Sequence, residues 1–169
     1  MIGLKQLEII CPRCAAHAVF REPYAFHSGD GAETVLRWGN WHIVERYPEL
    51  LPWRAPAGSN NQYLTYGESD GDGYALFKEG VVECKACAAS FVHALAWPTD
   101  AWWQWSIRGQ MLWAWDRAHA EQILTYVRAA DRPPRPIHGP LGSLPTHFLT
   151  AKIRPTVVKV MTRKLTEKT

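Results

Sequence analysis

The sequence predicts an α+β fold, with antiparallel strands in about the first two thirds of the chain and two helices in the last third. Strand-like segments flank two C-x-x-C pairs, and a tryptophan-rich segment at 101–115 contains two strand-like runs separated by a glycine. After residue 116, apolar residues recur at helical spacing. With 169 residues, of which 47 % are hydrophobic and 21 % charged, the chain can build one hydrophobic core. We therefore expect a single domain over residues 1–169.

The four cysteines form two C-x-x-C pairs, Cys11/Cys14 and Cys84/Cys87, and each pair lies between predicted strands. A two-residue gap lets both sulfurs of one turn point at the same ion, and four cysteines are a standard ligand set of closed structural zinc sites. The spacing therefore predicts one structural zinc ion per chain. Local disulfides or a redox pair are the alternatives, and neither a secretory signal nor a βαβ pattern supports them. The predicted flanking strands cover residues 5–10, 17–21, 74–83 and 90–97.

The cysteines lie in two short motifs, Cys11-Pro12-Arg13-Cys14 and Cys84-Lys85-Ala86-Cys87. Each motif is followed by a strand-like run that contains a phenylalanine. In these residues the chain resembles the zinc ribbons, in which two such turns, called knuckles, lie at the tips of β-hairpins and hold one metal ion. The resemblance implies a zinc-ribbon-like antiparallel β core, with residues 1–22 and 74–97 as its two halves.

Two features distinguish the chain from a compact ribbon. Ala15 and Ala88 stand directly after the knuckles, where a glycine is usual. In addition, 69 residues separate Cys14 from Cys84, whereas a compact site has roughly 15–20. The metal is therefore expected to close a long loop, and folding is expected to depend on the metal.

Residues 23–73 are predicted to be a loop-rich insertion between the knuckles, because they are rich in Gly, Pro, Asn and Asp. Short strands or turns are expected around its tryptophans. These tryptophans lie near arginines, and the two residue types together are frequent in binding hot spots. They could equally pack into a core, and the sequence leaves both possibilities open. The residues predicted to bind a partner are Trp38, Trp41, Trp53, Arg37 and Arg54.

Residues 101–130 are predicted to form a tryptophan-rich β-hairpin followed by a helix. A three-residue loop at 107–109 would gather the large apolar side chains on one face, whereas a two-residue turn would scatter them over both faces. We therefore expect the three-residue loop, with Trp105 and Trp113 in the core. The face that it would create consists of Trp103, Trp105, Met111, Trp113 and Trp115.

Two helices are predicted after the hairpin. Asp116 can accept hydrogen bonds from the free amides of a first helical turn, so the first helix is expected from there to about residue 130. A proline-rich connector at 132–145 follows, and a last helix is expected to begin near Pro155 within a C-terminal helical region at 145–169. The residues predicted to be buried are Ala120, Ile123, Leu124 and Val127 in the first helix, and Val157, Val158, Met161 and Leu165 in the second.

The formal net charge of +3 is unevenly distributed. Residues 1–99 contain 8 Lys/Arg against 11 Asp/Glu, whereas residues 100–169 contain 11 against 5. The last helix is predicted to expose Lys159, Arg163 and Lys164, which could contact the phosphates of a nucleic acid or form an ordinary solvated face. One zinc ion with four thiolates would lower the net charge to about +1, and this value favours a protein partner over a nucleic acid.

Other motifs indicate chemistry less strongly. The acidic segment 68–79 nearly fits a calcium-binding loop, but strands rather than helices are predicted around it, so an acidic turn is expected. Paired C-x-x-C motifs also occur in HNH-type nucleases. Here, however, neither His27 nor His42 follows an acidic residue, and Asn61 lies 23 residues before Cys84. Phosphate-loop, nucleophile-elbow and H-E-x-x-H motifs are absent from the sequence.

Two functional hypotheses lead. In the first, the chain is a zinc-stabilised binding or adaptor protein that engages a protein partner through its Trp/Arg-rich insertion. In the second, it binds nucleic acid through the basic C-terminal region, and an HNH-like nuclease or another enzyme is the third interpretation.

A cytoplasmic location without membrane association is expected, because reduced or zinc-bound thiols suit a reducing compartment and the sequence contains neither a signal peptide nor an apolar run of about 20 residues.

Overall fold

The structure, a computed structural model, describes residues 6–28, 36–39, 41–55, 79–134, 139–142 and 144–167. In these ranges the chain forms three antiparallel sheets and two α-helices, so the predicted α+β class is confirmed. The strands are β1 (Gln6–Ile10), β2 (His17–Arg21), β3 (Tyr24–Ser28), β4 (Leu36–Trp38), β5 (Trp41–Glu45), β6 (Glu79–Cys84), β7 (Ala89–Ala94), β8 (Trp103–Ile107) and β9 (Gln110–Ala114). The helices are α1 (Arg117–Arg128) and α2 (Arg154–Thr166), with a short 3₁₀ helix (Thr146–Leu149) between them. None of the helices described is long and apolar enough to cross a membrane.

Both cysteine motifs belong to one four-stranded sheet, here called the cysteine sheet, in the order β1-β2-β6-β7. Its apolar face is aligned across all four strands, because Leu7 lies opposite Phe20, Phe20 opposite Val82, and Val82 opposite Phe91. Gly80 allows the strands to approach closely: a Cβ atom on it would lie 2.5 Å from the carbonyl oxygen of Arg21. The register therefore gathers these apolar side chains on one face of the sheet.

The described part of the insertion forms a second, three-stranded sheet in the order β3-β5-β4, here called the insertion sheet. Its tryptophans are organised around Trp53, whose ring meets those of Tyr24, Phe26 and Trp38 edge to face at centroid distances of 5.1, 5.4 and 5.8 Å. The short strands expected here are therefore present, and aromatic packing on one face holds them together.

A polar network at one end of the cysteine sheet connects it to the insertion. Glu83 accepts from the Arg21 Nε at 2.7 Å and from the Tyr47 hydroxyl at 2.8 Å, and Arg21 also donates to Gln6. The pKa of Glu83 is lowered, chiefly by the Arg21 hydrogen bond, while burial and the bond to Glu83 raise the pKa of Tyr47 to about 12. Tyr47 thereby fixes the insertion to β6.

The predicted register of the tryptophan hairpin, β8 and β9, is wrong. Ile107 pairs with Gln110, so the turn has two residues, Arg108 and Gly109, both with positive φ (51° and 79°). Two positive φ angles are the signature of a type I′ turn, whose twist matches that of the flanking strands. The large side chains therefore divide between two faces instead of sharing one.

One face of the hairpin is buried and the other is covered in part, since Met111 on the Trp113 face is 44 % exposed. Trp103, Trp105 and Leu112 pack on one side into a core with α1, α2 and Phe148 of the 3₁₀ helix, here called the helical core. Trp113 is partly buried on the other side, where it and the buried Trp115 pack against the apolar face of the cysteine sheet.

Both predicted helices are confirmed. Asp116 caps α1 by accepting from the amide of His119 at 2.7 Å, and α2 begins at Arg154 with Pro155 in its first turn. Of the residues predicted to be buried, only Val158 is partly exposed. The others are buried, and they are Ala120, Ile123, Leu124, Val127, Val157, Met161 and Leu165.

Glu8 on β1 joins the cysteine sheet to the hairpin and to α1. Its Oε2 atom accepts from the indole Nε1 of Trp103 at 2.6 Å and is 3.0 Å from Nε2 of His17, and its Oε1 accepts from the amide of Arg117 at 3.3 Å. One half-buried carboxylate thus connects three elements that are far apart in the sequence.

Candidate metal centre

The four cysteine sulfurs form one compact group at the tip of the cysteine sheet. All four Sγ atoms lie within 4.8 Å of one another, and pairs from opposite knuckles are 3.5 Å (Cys14 and Cys84) and 3.9 Å (Cys11 and Cys87) apart. A tetrahedral zinc ion with Zn–S bonds of about 2.3 Å requires sulfurs roughly 3.8 Å apart. The cysteines form no disulfide. The four side chains therefore fit one tetrahedral ion.

The knuckle turns bring the sulfurs together because each reverses the chain tightly after its second cysteine. In the first knuckle the amide of Ala15 donates to the Cys11 carbonyl, and the amide of Cys11 donates to the Ala16 carbonyl, both at 2.8 Å. Ala15 and Ala88 adopt φ angles of 60° and 51°, in the left-handed region. The usual glycine of such a turn is thus replaced by alanine while the backbone conformation that favours glycine is retained.

Hydrogen bonds from the backbone and from neighbouring thiols give Cys84 and Cys87 different pKa values. A hydrogen bond from the amide of Cys87 lowers the pKa of the Cys84 thiol to about 7, whereas the bond between the two thiols raises the pKa of Cys87 to about 12. Four thiolates this close repel one another strongly unless a cation lies among them. Binding of a divalent ion would therefore release protons and make the site pH-dependent.

The site is half buried. Cys11 and Cys84, the first cysteine of each knuckle, are buried at the ends of β1 and β6, whereas Cys14 and Cys87 are exposed. Beside them, the guanidinium of Arg13 lies 3.9 Å above the ring of Phe91. Four sulfur ligands fill a tetrahedron, so this arrangement suits a structural ion and offers it no open coordination position.

The predicted partner-binding residues have different environments. Trp38 is buried and Trp53 is half-buried within the aromatic group of the insertion sheet, so both contribute to its packing. Trp41 lies opposite Trp38 and is half-buried, whereas Arg37 and Arg54 are exposed.

The insertion also exposes two apolar residues that were not predicted. Val44 on β5 and Leu50 are 39 % and 41 % exposed. No sequence signal distinguishes them from buried aliphatic residues, because their exposure depends on which face of the sheet is covered.

The residues predicted to contact nucleic acid also have different environments. Lys159 and Arg163 are exposed on α2, but Lys164 points into the molecule. Its Nζ donates to the carbonyl oxygen of Trp102 and lies 5.3–5.9 Å from the ring centroids of Trp102, Trp103 and Trp105. Burial lowers the pKa of Lys164, and its cation faces indole rings instead of solvent.

Three of the described histidines have side-chain partners within the fold, whereas the buried Nε2 atom of His147 has no hydrogen-bond partner among the described residues. His17 bonds to Glu8 at 3.0 Å, His93 to Asp100 at 2.9 Å, and His119 is buried beneath Trp115. His42 is buried on β5, opposite His27. In the part of the chain that the structure describes, the cysteines are the only group of three or more His, Cys, Asp or Glu side chains that could hold a metal. The possible calcium loop lies outside the described residues except for Glu79, which is exposed at the start of β6.

Comparison with known proteins gives no relative for this chain: no family model matches it, and neither a curated protein nor a solved structure does. The functional interpretation therefore depends on the geometry of the molecule alone.

Proposed function

We propose that this chain is a zinc-stabilised binding or adaptor protein that engages a protein partner through the exposed surface of its insertion. The observation that carries the proposal is the grouping of four sulfurs within 4.8 Å, supplied by two turns that are 69 residues apart in the sequence. A zinc ion held there by Cys11, Cys14, Cys84 and Cys87 would fix both ends of the insertion to one point.

The exposed chemistry of the insertion supports a protein partner. Arg37 and Val44 lie on the same face of the insertion sheet, because Arg37 is opposite His42 and Val44 is two residues further along β5. Exposed arginine beside exposed aliphatic surface is a combination found in protein interfaces. In this arrangement Trp38 and Trp41, which lie opposite each other on the other face of the sheet, stiffen it together with Trp53. Arg54 and Leu50 are further exposed side chains of the insertion.

Metal analysis tests the first half of the proposal. The purified chain should contain one zinc ion, and Cys84→Ser should remove it and loosen the fold, because the free energy of metal binding contributes directly to folding. Ser106→Ala, which changes an exposed residue on β8, is the control and should keep the zinc. A chain that folds equally well without metal, or that carries iron instead of zinc, would contradict the proposal.

Co-purification tests the second half. The tagged, zinc-loaded protein is exposed to native lysate with and without nuclease, and bound proteins are identified by mass spectrometry. The double variant Arg37→Ala, Val44→Ser should lose the partner, whereas Lys159→Gln, Arg163→Gln should keep it. Both pairs change exposed side chains, so a difference between them reports the location of the surface. If the double variant Arg37→Ala, Val44→Ser keeps the partner, the partner-binding surface lies elsewhere.

Nucleic-acid binding is the second candidate, and one observation favours it. Lys159 and Arg163 are exposed on a helix that contains no acidic residue between Arg154 and Thr166. If this helix contacts phosphates, binding of DNA or RNA should fall steeply with salt, and each change to Gln should reduce the salt slope by about one. Lys164→Gln should not act in this way, because its amine faces the tryptophans.

A further inference from the structure

The two edges of the cysteine sheet differ. At the β1 edge, outer backbone groups are occupied: Glu8 exchanges hydrogen bonds with Trp115 and Trp102, and the amide of Ile10 donates to the Asp100 carbonyl, at 2.8–2.9 Å. At the β7 edge, no backbone hydrogen bond from the described residues outside the sheet reaches the strand. Among the described residues, one edge of this sheet is therefore capped by backbone hydrogen bonds and the other is open.

The sequence of the open edge lacks the charged residues and prolines that often protect edge strands. Strand β7 has the sequence Ala-Ser-Phe-Val-His-Ala, without lysine, proline or any acidic residue. Charged residues, prolines and bulges are the devices by which proteins prevent edge strands from pairing with another chain. An uncharged six-residue edge is instead suited to receive a further strand.

We propose that β7 pairs in antiparallel fashion with β7 of a second copy of this chain, around a two-fold axis at Val92. The two cysteine sheets would then form one eight-stranded sheet. Directly opposite residues in antiparallel strands point to the same face, so the buried faces of both copies coincide only if odd residues pair with odd and even with even. The axis at Val92 meets this condition, with Ser90 opposite Ala94 and Phe91 opposite His93.

Charge complementarity selects this register and the second copy as the occupant. Arg13 lies over Phe91, and Asp100 bonds to His93 at 2.9 Å. When Phe91 of one copy pairs with His93 of the other, the Arg13 that lies over Phe91 comes to the same face as the Asp100 that is bonded to that His93. The two-fold axis repeats this Arg13–Asp100 approach a second time. An axis at Phe91 would also keep the faces matched, but it would bring the two Arg13 side chains together.

The expected dimer is weak and reversible. A six-residue edge buries much less area than the roughly 1,600 Å² of a standard protein interface. Sedimentation velocity of the zinc-loaded chain over a wide range of protein concentrations should therefore show a monomer–dimer equilibrium. High salt should shift this equilibrium toward the monomer, because the Arg13–Asp100 attraction is screened.

The register can be tested with two matched double variants at exposed positions. Ser90→Lys with Ala94→Lys places like charges opposite each other twice and should abolish the dimer. Ser90→Lys with Ala94→Glu places opposite charges there twice and should tighten it about five-fold. Zinc content is measured for each variant to show that the fold is intact.

Val44→Lys on the insertion sheet is the control and should leave the dimer unchanged. A chain that is monomeric at every concentration, or two double variants that dimerise alike, would overturn the proposal. So would loss of the dimer in Val44→Lys, since that result would place the contact on the insertion. The proposal does not depend on the proposed function.

Discussion

Ala15 and Ala88 are equivalent residues in the two knuckles, and both hold a backbone conformation that alanine rarely adopts. Their φ angles are 60° and 51°. A left-handed conformation costs an L-residue with a Cβ roughly 1–2 kcal/mol, whereas glycine adopts it without that cost. The turns that present the four cysteines are therefore strained at two known positions.

Ala15→Gly and Ala88→Gly should each stabilise the zinc-loaded protein by about 0.5–1 kcal/mol, because relief of the strain exceeds the entropy that glycine adds to the unfolded chain. Urea unfolding in excess zinc measures the change. Ala86→Gly is the control within the second knuckle, where φ is not positive, and it should give no gain. Unchanged or lower stability in both variants would show that the turns tolerate alanine without strain.

His119 uses both ring nitrogens inside the protein. Nε2 donates to the Pro140 carbonyl at 2.8 Å, and Nδ1 accepts from the amide of Trp115 at 3.2 Å. Burial lowers the pKa of His119, opposed by the Pro140 hydrogen bond and by the nearby charge of Asp116. A proton on Nδ1 would face the Trp115 N–H, so the folded protein favours the neutral ring.

Stability should consequently decrease as the pH falls below the ordinary histidine pKa of about 6.5, because the unfolded chain binds a proton there that the folded chain resists. Unfolding in urea with excess zinc, measured between about pH 5.5 and 8, should show a steeper fall for the parent chain than for His119→Gln. The metal site contributes equally to both proteins, so the difference in slope isolates His119. Identical slopes would contradict this assignment.

At the scale of elements, the tryptophan hairpin is a layer between two cores. Trp105, on the side of the helical core, is 6 % exposed, whereas Trp113 is partly buried against the cysteine sheet. The two tryptophans should therefore differ in their contribution to stability, although they occupy similar positions in the sequence pattern.

Trp105→Ala should cost about 3–5 kcal/mol, the range for a large aromatic residue in a core. Trp113→Ala should cost less, because part of its ring already contacts solvent. Denaturation followed by circular dichroism compares the two variants directly. Equal losses would indicate that both sides of the hairpin are packed to the same degree.

Helix α2 is attached to the hairpin by Lys164. Its amine lies within 5.9 Å of three tryptophan ring centroids and donates to a backbone carbonyl. Lys164→Gln should destabilise the protein by about 1–3 kcal/mol through loss of the cation–π contacts and the hydrogen bond. Lys159→Gln on the exposed face of the same helix should change stability by less than about 0.5 kcal/mol. A reversed order would mean that Lys164 is in solvent.

The existence of the strands and helices could be predicted from local sequence signals, whereas the register of the hairpin and the direction of Lys164 depend on distant contacts. The strands beside the cysteines follow from the two C-x-x-C turns that they flank, helix α1 follows from the Asp116 cap and the helical spacing, and the four sulfurs do meet. The predicted register of the hairpin was wrong because all large apolar side chains were expected on one face. Trp105 instead packs into the helical core, and Trp113 packs on the opposite side against the cysteine sheet. The inward direction of Lys164 depends on Trp102 and its neighbours, which are about sixty residues away in the chain.

At the scale of the whole molecule, Glu8 couples the cysteine sheet to the helical core. Its carboxylate accepts hydrogen bonds from the indole of Trp103 and the first amide of α1, and it is bonded to His17. These partners belong to the hairpin, to α1 and to β2. Loss of one acceptor atom of Glu8 therefore weakens the contact between the cysteine sheet and the helical core.

Glu8→Gln should cost about 1–3 kcal/mol, because an amide has one accepting oxygen where the carboxylate has two, so the N–H of Trp103 or of Arg117 would face an NH2 group. Glu121→Gln is the matched control: its i,i+4 pair with Arg117 is 55 % exposed on the Glu121 side and should contribute less than about 0.5 kcal/mol. Thermal unfolding at fixed zinc concentration compares them. Equal midpoints would show that the contact does not depend on Glu8.

The distance between the knuckles along the chain has a consequence for biosynthesis. Cys14 leaves the ribosome 73 residues before Cys87. At synthesis rates of about 5–20 residues per second, the first two thiols wait roughly 4–15 s for the second pair. During that interval the nascent chain carries an incomplete site, open to thiol exchange or to capture of a metal by two ligands only. The hairpin and both helices are made later still, so a metal bound by the four cysteines would close the cysteine sheet before they emerge.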